Sequence, residues 1–196
     1  MKRLSWLLLL AGALFCSGIA QAKPTATPLP GNSVYQLKAT LVDATGRPCK
    51  WAEFRGQPRI ATMFYSSCPY MCPLIIESGK AIDKSLTPAE RARLGVVMVS
   101  LDPKRDSPAA LTALARKRGI DPKRWTLLRP DPKDVRSLAA VLGVKYRALA
   151  DGEFNHTSVL ILLDADGRIL ARTETIGTKP DPEFLIAVRK ALAQRN

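Results

Sequence analysis

The chain has 196 residues, of which 46% are hydrophobic, 24% charged and 6% aromatic, with four cysteines, one histidine and a formal charge of +13. That balance excludes a disordered chain, a collagen-like repeat and a bundle of membrane spans. The length suits one domain able to bury a core without disulfide staples, and four cysteines are too few for a disulfide scaffold.

The first segment reads as a targeting signal. Lys2 and Arg3 precede an apolar run over residues 4–15, and Ala20-Gln21-Ala22 has the small-x-small pattern of a cleavage site. This is the layout of a secretory signal peptide over 1–22. The run is shorter than the roughly 20 residues a spanning helix needs. An uncleaved anchor is the alternative, and the bulky Phe15 argues against lipidation at Cys16. Cleavage after Ala22 removes Lys2, Arg3 and Cys16, so the charge falls by two to +11 and three cysteines remain: Cys49, Cys68 and Cys72. The protein is then periplasmic, where thiols oxidise unless something reduces or metallates them. Nucleic acid is excluded as a partner by the compartment, despite the basic charge.

Residues 23–32 carry three prolines and no apolar period, as a flexible linker does. The domain over 33–196 opens with alternation, Tyr35, Leu37, Ala39 and Leu41 sharing one face of a half-buried strand. A turn at Asp43-Ala44-Thr45-Gly46 leads to a returning strand over 48–54, and 60–65 is a buried strand. A helix is expected over 73–86, and Thr87-Pro88-Ala89-Glu90 is a capping box that starts a short one. Residues 96–101 form a buried, β-branched strand. Ser107-Pro108 opens a helix that Gly119 ends, 125–128 is a strand, and Asp131-Pro132 caps a helix that Gly143 ends. Strands over 158–163 and 168–173 flank Asp164-Ala165-Asp166-Gly167 as a hairpin, and Asp181-Pro182 caps the last helix. Strands alternating with helices imply crossovers and a partly parallel sheet. The expected class is α/β: a thioredoxin-like mixed sheet flanked by helices, with an N-terminal β-hairpin extension.

Cys68-Pro69-Tyr70-Met71-Cys72-Pro73 falls where a buried strand hands over to a helix. Helix N-termini offer unpaired amides and a positive dipole end, both of which favour a thiolate. Pro73 fits the first helical position, placing Cys72 near the N-cap and Cys68 in the turn before it. Three readings stand. A structural disulfide would close so short a loop that its entropic gain is small. A thiol–disulfide redox pair usually has two intervening residues, not three. Two thiolates suit Cu(I) and tolerate the wider spacing. Haem attachment is excluded by Pro73 after Cys72, and a closed zinc site needs four ligands. His156, the single histidine, stands before the strand 158–163, about where thioredoxins carry a cis-proline facing the cysteines; there is no proline between Pro132 and Pro180. A neutral imidazole there would complete a site of two sulfurs and one nitrogen. A peroxiredoxin-like reading fails because Tyr65 stands where a threonine is needed.

Three blocks resemble the Sco/SenC family of copper-binding, thioredoxin-like proteins. They are residues 64–73 (FYSSCPYMCP), 99–108 (VSLDPKRDSP), and Asn155-His156-Thr157-Ser158 with the 163–167 turn. The likeness covers about 33–192. It implies copper held by Cys68, Cys72 and His156, with Asp102 near the site. It also implies a role in maturing the dinuclear copper centre of cytochrome c oxidase, by copper delivery, by reduction of the target's cysteines as a thiol–disulfide oxidoreductase, or both. Two departures are Asn155-His156-Thr157, where relatives often have Asp-His-Ser, and a leader that reads as cleaved where many relatives are membrane-anchored. Outside the motif, Cys49 reads as a free small hydrophobe, with intermolecular pairing or thiol exchange as the alternative; between the two motif cysteines, Met71 reads as an exposed loop methionine, with a thioether contact to copper as the alternative. The basic residues, spread over helix ends and loops, read as a solvated face or as steering toward an acidic membrane-bound partner or anionic lipid.

Overall fold

The computed structural model describes residues 27–194. The proposed signal segment 1–22 lies outside them, as do the first residues of the linker. Where the linker is described, Leu29 packs on the core, and the Pro30 carbonyl accepts from the Gln36 side-chain amide at 2.6 Å.

The elements are β1 (Thr40–Asp43), β2 (Pro48–Lys50), β3 (Arg59–Phe64), α1 (Met71–Ser85), α2 (Pro88–Ala92), β4 (Gly95–Ser100), α3 (Pro108–Arg118) and β5 (Trp125–Pro130). They continue with α4 (Val135–Val141), β6 (Tyr146–Ala148), β7 (Phe154–His156), β8 (Leu160–Leu163), β9 (Ile169–Thr173) and α5 (Pro182–Ala193). Seven strands form one sheet in the order β2-β1-β5-β4-β3-β8-β9, while β6 and β7 form a separate two-stranded ribbon. The three central strands β3, β4 and β5 are parallel, joined by crossovers through α1–α2 and α3; β1 and β8 add antiparallel. The expected thioredoxin-like mixed sheet is therefore present, extended by the β1–β2 hairpin.

The period-2 alternation of the strands divides the core between the two sheet faces. Ala61, Met63, Val97, Val99, Ile161 and Leu163 point to one face, under α4 and the N-terminal segment. Ile60, Phe64, Val96, Met98, Leu160 and Leu162 point to the other, under α1, α3 and α5. Gly79 lets α1 approach β5 closely, since a Cβ there would lie 2.5 Å from the Trp125 ring. Among the described residues, no helix is long and apolar enough to cross a membrane.

Three expectations are corrected. The first strand does not begin at Val34: Val34–Gln36 is a 3-10 turn, because the Ser33 hydroxyl accepts from the Tyr35 amide and the Val34 amide donates to the Gly167 carbonyl. Tyr35 then packs against Gly167 so tightly that a Cβ there would lie 2.4 Å from its ring. The return strand stops at Lys50, and Trp51–Phe54 coils into a 3-10 turn that buries Trp51 and Phe54. The helix expected from Pro132 begins as a 3-10 turn, Pro132–Asp134, because the Asp134 carboxylate accepts from the Thr40 amide at 2.9 Å before α4 can start.

Candidate metal centre

β3 delivers the cysteine segment to the edge of the sheet core. Helix α1 starts at Met71, with Tyr70 as an N-cap that supplies no side-chain acceptor. Pro73 is thus the third residue of the helix and not the first, and Cys72 is the second. The unpaired Cys72 amide instead donates to Cys68 Sγ at 3.3 Å. The sulfur of Cys68 occupies the place of a capping oxygen, at the positive end of a 15-residue helix.

The two thiols differ sharply in consequence. Donation from the Cys72 thiol, helped by the Cys72 and Tyr70 amides and the Tyr65 hydroxyl, pushes Cys68 down to about 4 against the opposing effect of burial. Cys72 is 3% exposed, and its proton is held by the Cys68 sulfur and by burial, so its acidity is far weaker than an ordinary thiol's. The pair shares one proton in practice: Cys68 as thiolate, Cys72 as donor. Cys68 should therefore be alkylated by iodoacetamide at a rate nearly constant from pH 6 to 8. An ordinary thiol gains ~80-fold in thiolate over that interval. A comparable rise at Cys68, measured by mass spectrometry of the metal-free reduced protein, would contradict the geometry.

His156 ends β7 and faces Cys68 across a cavity of about 360 Å³, lined also by Tyr65, Met71, Leu149, Glu153 and Phe154. It was expected in a loop before β8 and instead belongs to the ribbon, paired with Tyr146. Its Nδ1 lies 3.1 Å from the Thr157 carbonyl, which can only accept, so Nδ1 carries the proton and Nε2 keeps its lone pair. The Tyr65 ring meets the imidazole edge-on at 5.9 Å and Phe154 at 5.2 Å. The structure thus brings Cys68 and Cys72 into contact and sets His156 on the opposite wall. Among the described residues, no three histidine, cysteine, aspartate or glutamate side chains stand close enough together to hold a metal ion.

The 99–108 segment contributes differently from the expectation that singled out Asp102. Asp102 is buried, donates its amide to the Ser100 hydroxyl, and accepts from Arg105 with its carboxylate. The carboxylate that touches the cysteine loop is Asp106, fully buried. It accepts from the Ser66 amide at 3.1 Å, from the Ser66 hydroxyl, and from the Ser100 hydroxyl at 2.5 Å. The sequence assigned no role at the site to Asp106, Arg105 or Glu153, and Tyr65 entered only as a residue that excludes a peroxidase. The signals available for Asp106 were its place in the 99–108 block and its position directly before Ser107-Pro108.

Cys49 is buried in β2, where burial pushes its thiol up to about 11. It belongs to the core cluster on the sheet face opposite to Cys72. Met71, the first residue of α1, is partly exposed.

A thioredoxin-like sheet, a pair of cysteines in contact at the start of the helix after β3, and an imidazole on the same cavity define a class of thioredoxin-like dithiol proteins. Within that class the chain belongs to the SCO1/SenC family, whose model matches residues 30–193. A curated relative from Stutzerimonas stutzeri, named "Putative copper-binding protein", is 25% identical over 134 residues. These make up 66% of this chain, and the chain spans 64% of that relative's length. Arabidopsis thaliana ScoI with copper bound shares the fold at 20% identity, covering 81% of this chain and 98% of that one, with a TM-score of 0.67. So does BsSco, described as a member of the Sco family of cytochrome c oxidase assembly proteins, at 19% identity, 81% and 94% coverage and a TM-score of 0.68.

Proposed function

We propose that this chain is a periplasmic copper metallochaperone. It carries Cu(I) as cargo on the sulfurs of Cys68 and Cys72 and Nε2 of His156, the imidazole closing on the sulfur pair as the metal binds, and passes it to a copper protein. The first candidate is the cytochrome c oxidase subunit that receives the dinuclear copper centre. The observation that carries this reading is the pairing of a preformed thiolate with an imidazole whose Nε2 lone pair is free, across one cavity. Thiolate and imidazole are soft to intermediate donors that suit Cu(I). A three-ligand set leaves room for an incoming thiol of the target, so copper can pass by ligand exchange. The copper in the Arabidopsis relative and the name of the Stutzerimonas relative support the cargo, and the reading of residues 1–22 as a secretory signal supports the compartment.

A second reading uses the same pair as a thiol–disulfide oxidoreductase. Cys68 Sγ attacks a target disulfide, one target thiolate leaves, and the Cys72 thiol, once deprotonated, displaces the second. The target gains two electrons and two thiols, and the chain ends with a Cys68–Cys72 disulfide. Both readings need the Cys72 proton to leave; His156 on the same cavity has no part in disulfide exchange and a relative binds copper, so the metal reading leads.

Reduced protein titrated with Cu(I) against a chromogenic chelator should bind one equivalent. His156→Ala should weaken binding by about 100-fold, at the upper end of what loss of even an outer partner of a metal ligand costs. Equal retention by both proteins would remove His156 from the site and put the oxidoreductase reading first.

A further inference from the structure

The ribbon that carries His156 is a separate two-stranded sheet of three residues per strand. Such a hairpin has marginal stability by itself and depends on what holds it. At its base, Thr157 donates its amide to the Lys145 carbonyl at 2.9 Å. Along its face, Phe154 packs on Tyr65. At its tip, Arg105, in the loop after β4, reaches across from the body. Its guanidinium takes the Asp102 carboxylate with Nε, the Gly152 carbonyl with Nη2, and approaches Glu153 at 3.6 Å with Nη1. Glu153 in turn accepts from the Tyr65 hydroxyl at 2.9 Å. The turn it closes is itself tied, Leu149 donating to the Glu153 carbonyl at 2.8 Å.

We infer that Arg105 is the positioning residue of the site: a clasp, fixed at its root by Asp102, that holds the tip of the ribbon against Tyr65 and so sets His156 opposite the cysteines. Three features select arginine for this. The planar fork serves two acceptors and an ion pair at once, which a lysine ammonium cannot do in one geometry. The Asp102 end is buried, so the root is rigid while the ribbon end is half-exposed and can give. The clasp touches neither cysteine nor His156 and acts only through the backbone that His156 rides on. It also accounts for the two carboxylates of the 99–108 segment: Asp106 secures the cysteine loop, and Asp102, through Arg105, secures the histidine ribbon. Both ligand-bearing elements are thereby referred to the end of one strand, β4.

This inference rests on the copper reading for its functional part, and its structural part can be read without copper. Hydrogen–deuterium exchange of the metal-free full-length protein should show amides over 146–156 exchanging about tenfold faster in Arg105→Gln, with the sheet core unchanged. Cu(I) binding of Arg105→Gln should weaken about tenfold. Combining it with His156→Ala should add no further loss, because the clasp acts through the imidazole. Unchanged ribbon exchange would overturn the inference, and so would an equal copper loss in the His156→Ala background. If wild type and His156→Ala bind copper alike, the copper reading fails and the exchange result alone decides the clasp. Should Arg105→Gln not fold, Glu153→Gln cuts the ion pair from the ribbon side and takes the same measurements.

Discussion

Asp106→Ala is expected to lower the unfolding free energy by about 4 kcal/mol, and Asp106→Asn by about half as much. Asp106 has no exposure, and its carboxylate is the common acceptor for the Ser66 amide, the Ser66 hydroxyl and the Ser100 hydroxyl. Alanine would leave three donors without this partner, the Ser100 hydroxyl fully buried and the two of Ser66 partly so, and a void between the ends of β3 and β4. An amide keeps the volume and one acceptor, so it recovers part of the loss. Urea denaturation followed by circular dichroism measures this directly, with an unchanged slope showing that the folded state remains compact. In thermal terms the alanine variant should melt roughly 10 °C lower. A loss below 1 kcal/mol would mean that the loop carrying Cys68 is held by other contacts.

Cys72→Ser should reduce Cu(I) retention far more than His156→Ala does, well beyond ~100-fold. The reason is double. It removes one of the two soft donors, and it alters the group that shapes Cys68, whose thiolate character depends first on donation from the Cys72 side chain. A serine hydroxyl can still donate, so Cys68 should remain reactive to iodoacetamide while copper is lost. Cys72→Ala removes the donor as well, and the pH at which Cys68 loses its nucleophilicity should then rise. Retained copper in Cys72→Ser would show that Cys68 and His156 suffice. A Cys68 that behaves alike in the serine and alanine variants would show that the helix amides alone stabilise its thiolate.

The parts of the molecule that could be read from the chain were those in which local pattern and tertiary role coincide. The apolar run ending at Tyr65, followed by Cys68 and Cys72, marks a strand-to-helix junction in sequence as in space. The Thr87 capping box and the Asp181 cap were legible because their partners, Glu90 and the Glu183 and Phe184 amides, lie within three residues. What escaped depends on distant partners. The alternation from Tyr35 to Leu41 is a sound strand signal that loses to the contact of Tyr35 with the turn at Gly167. The ribbon strands, Tyr146–Ala148 and Phe154–His156, are too short to show a period, and Tyr65 and Arg105 hold them in place. Of the two carboxylates in the 99–108 segment, nothing local tells which turns toward the cysteines. Burial beneath Ser66 and Ser100 decides for Asp106, while Asp102 is turned to Arg105.

The burial of Cys49 on the far face of the sheet bears on how the thiols of the domain can pair. The three thiols among the described residues can pair in three ways, and two of those pairings include Cys49. Once the domain has folded, that sulfur and the other two lie in separate core clusters on opposite faces of the sheet, so a wrong bond would require part of the fold to open. Mispairing is then confined to the chain before it folds. Afterwards the odd thiol is silenced by architecture, and the rate at which it becomes reactive is a clock for opening of the β1–β2 hairpin that buries it.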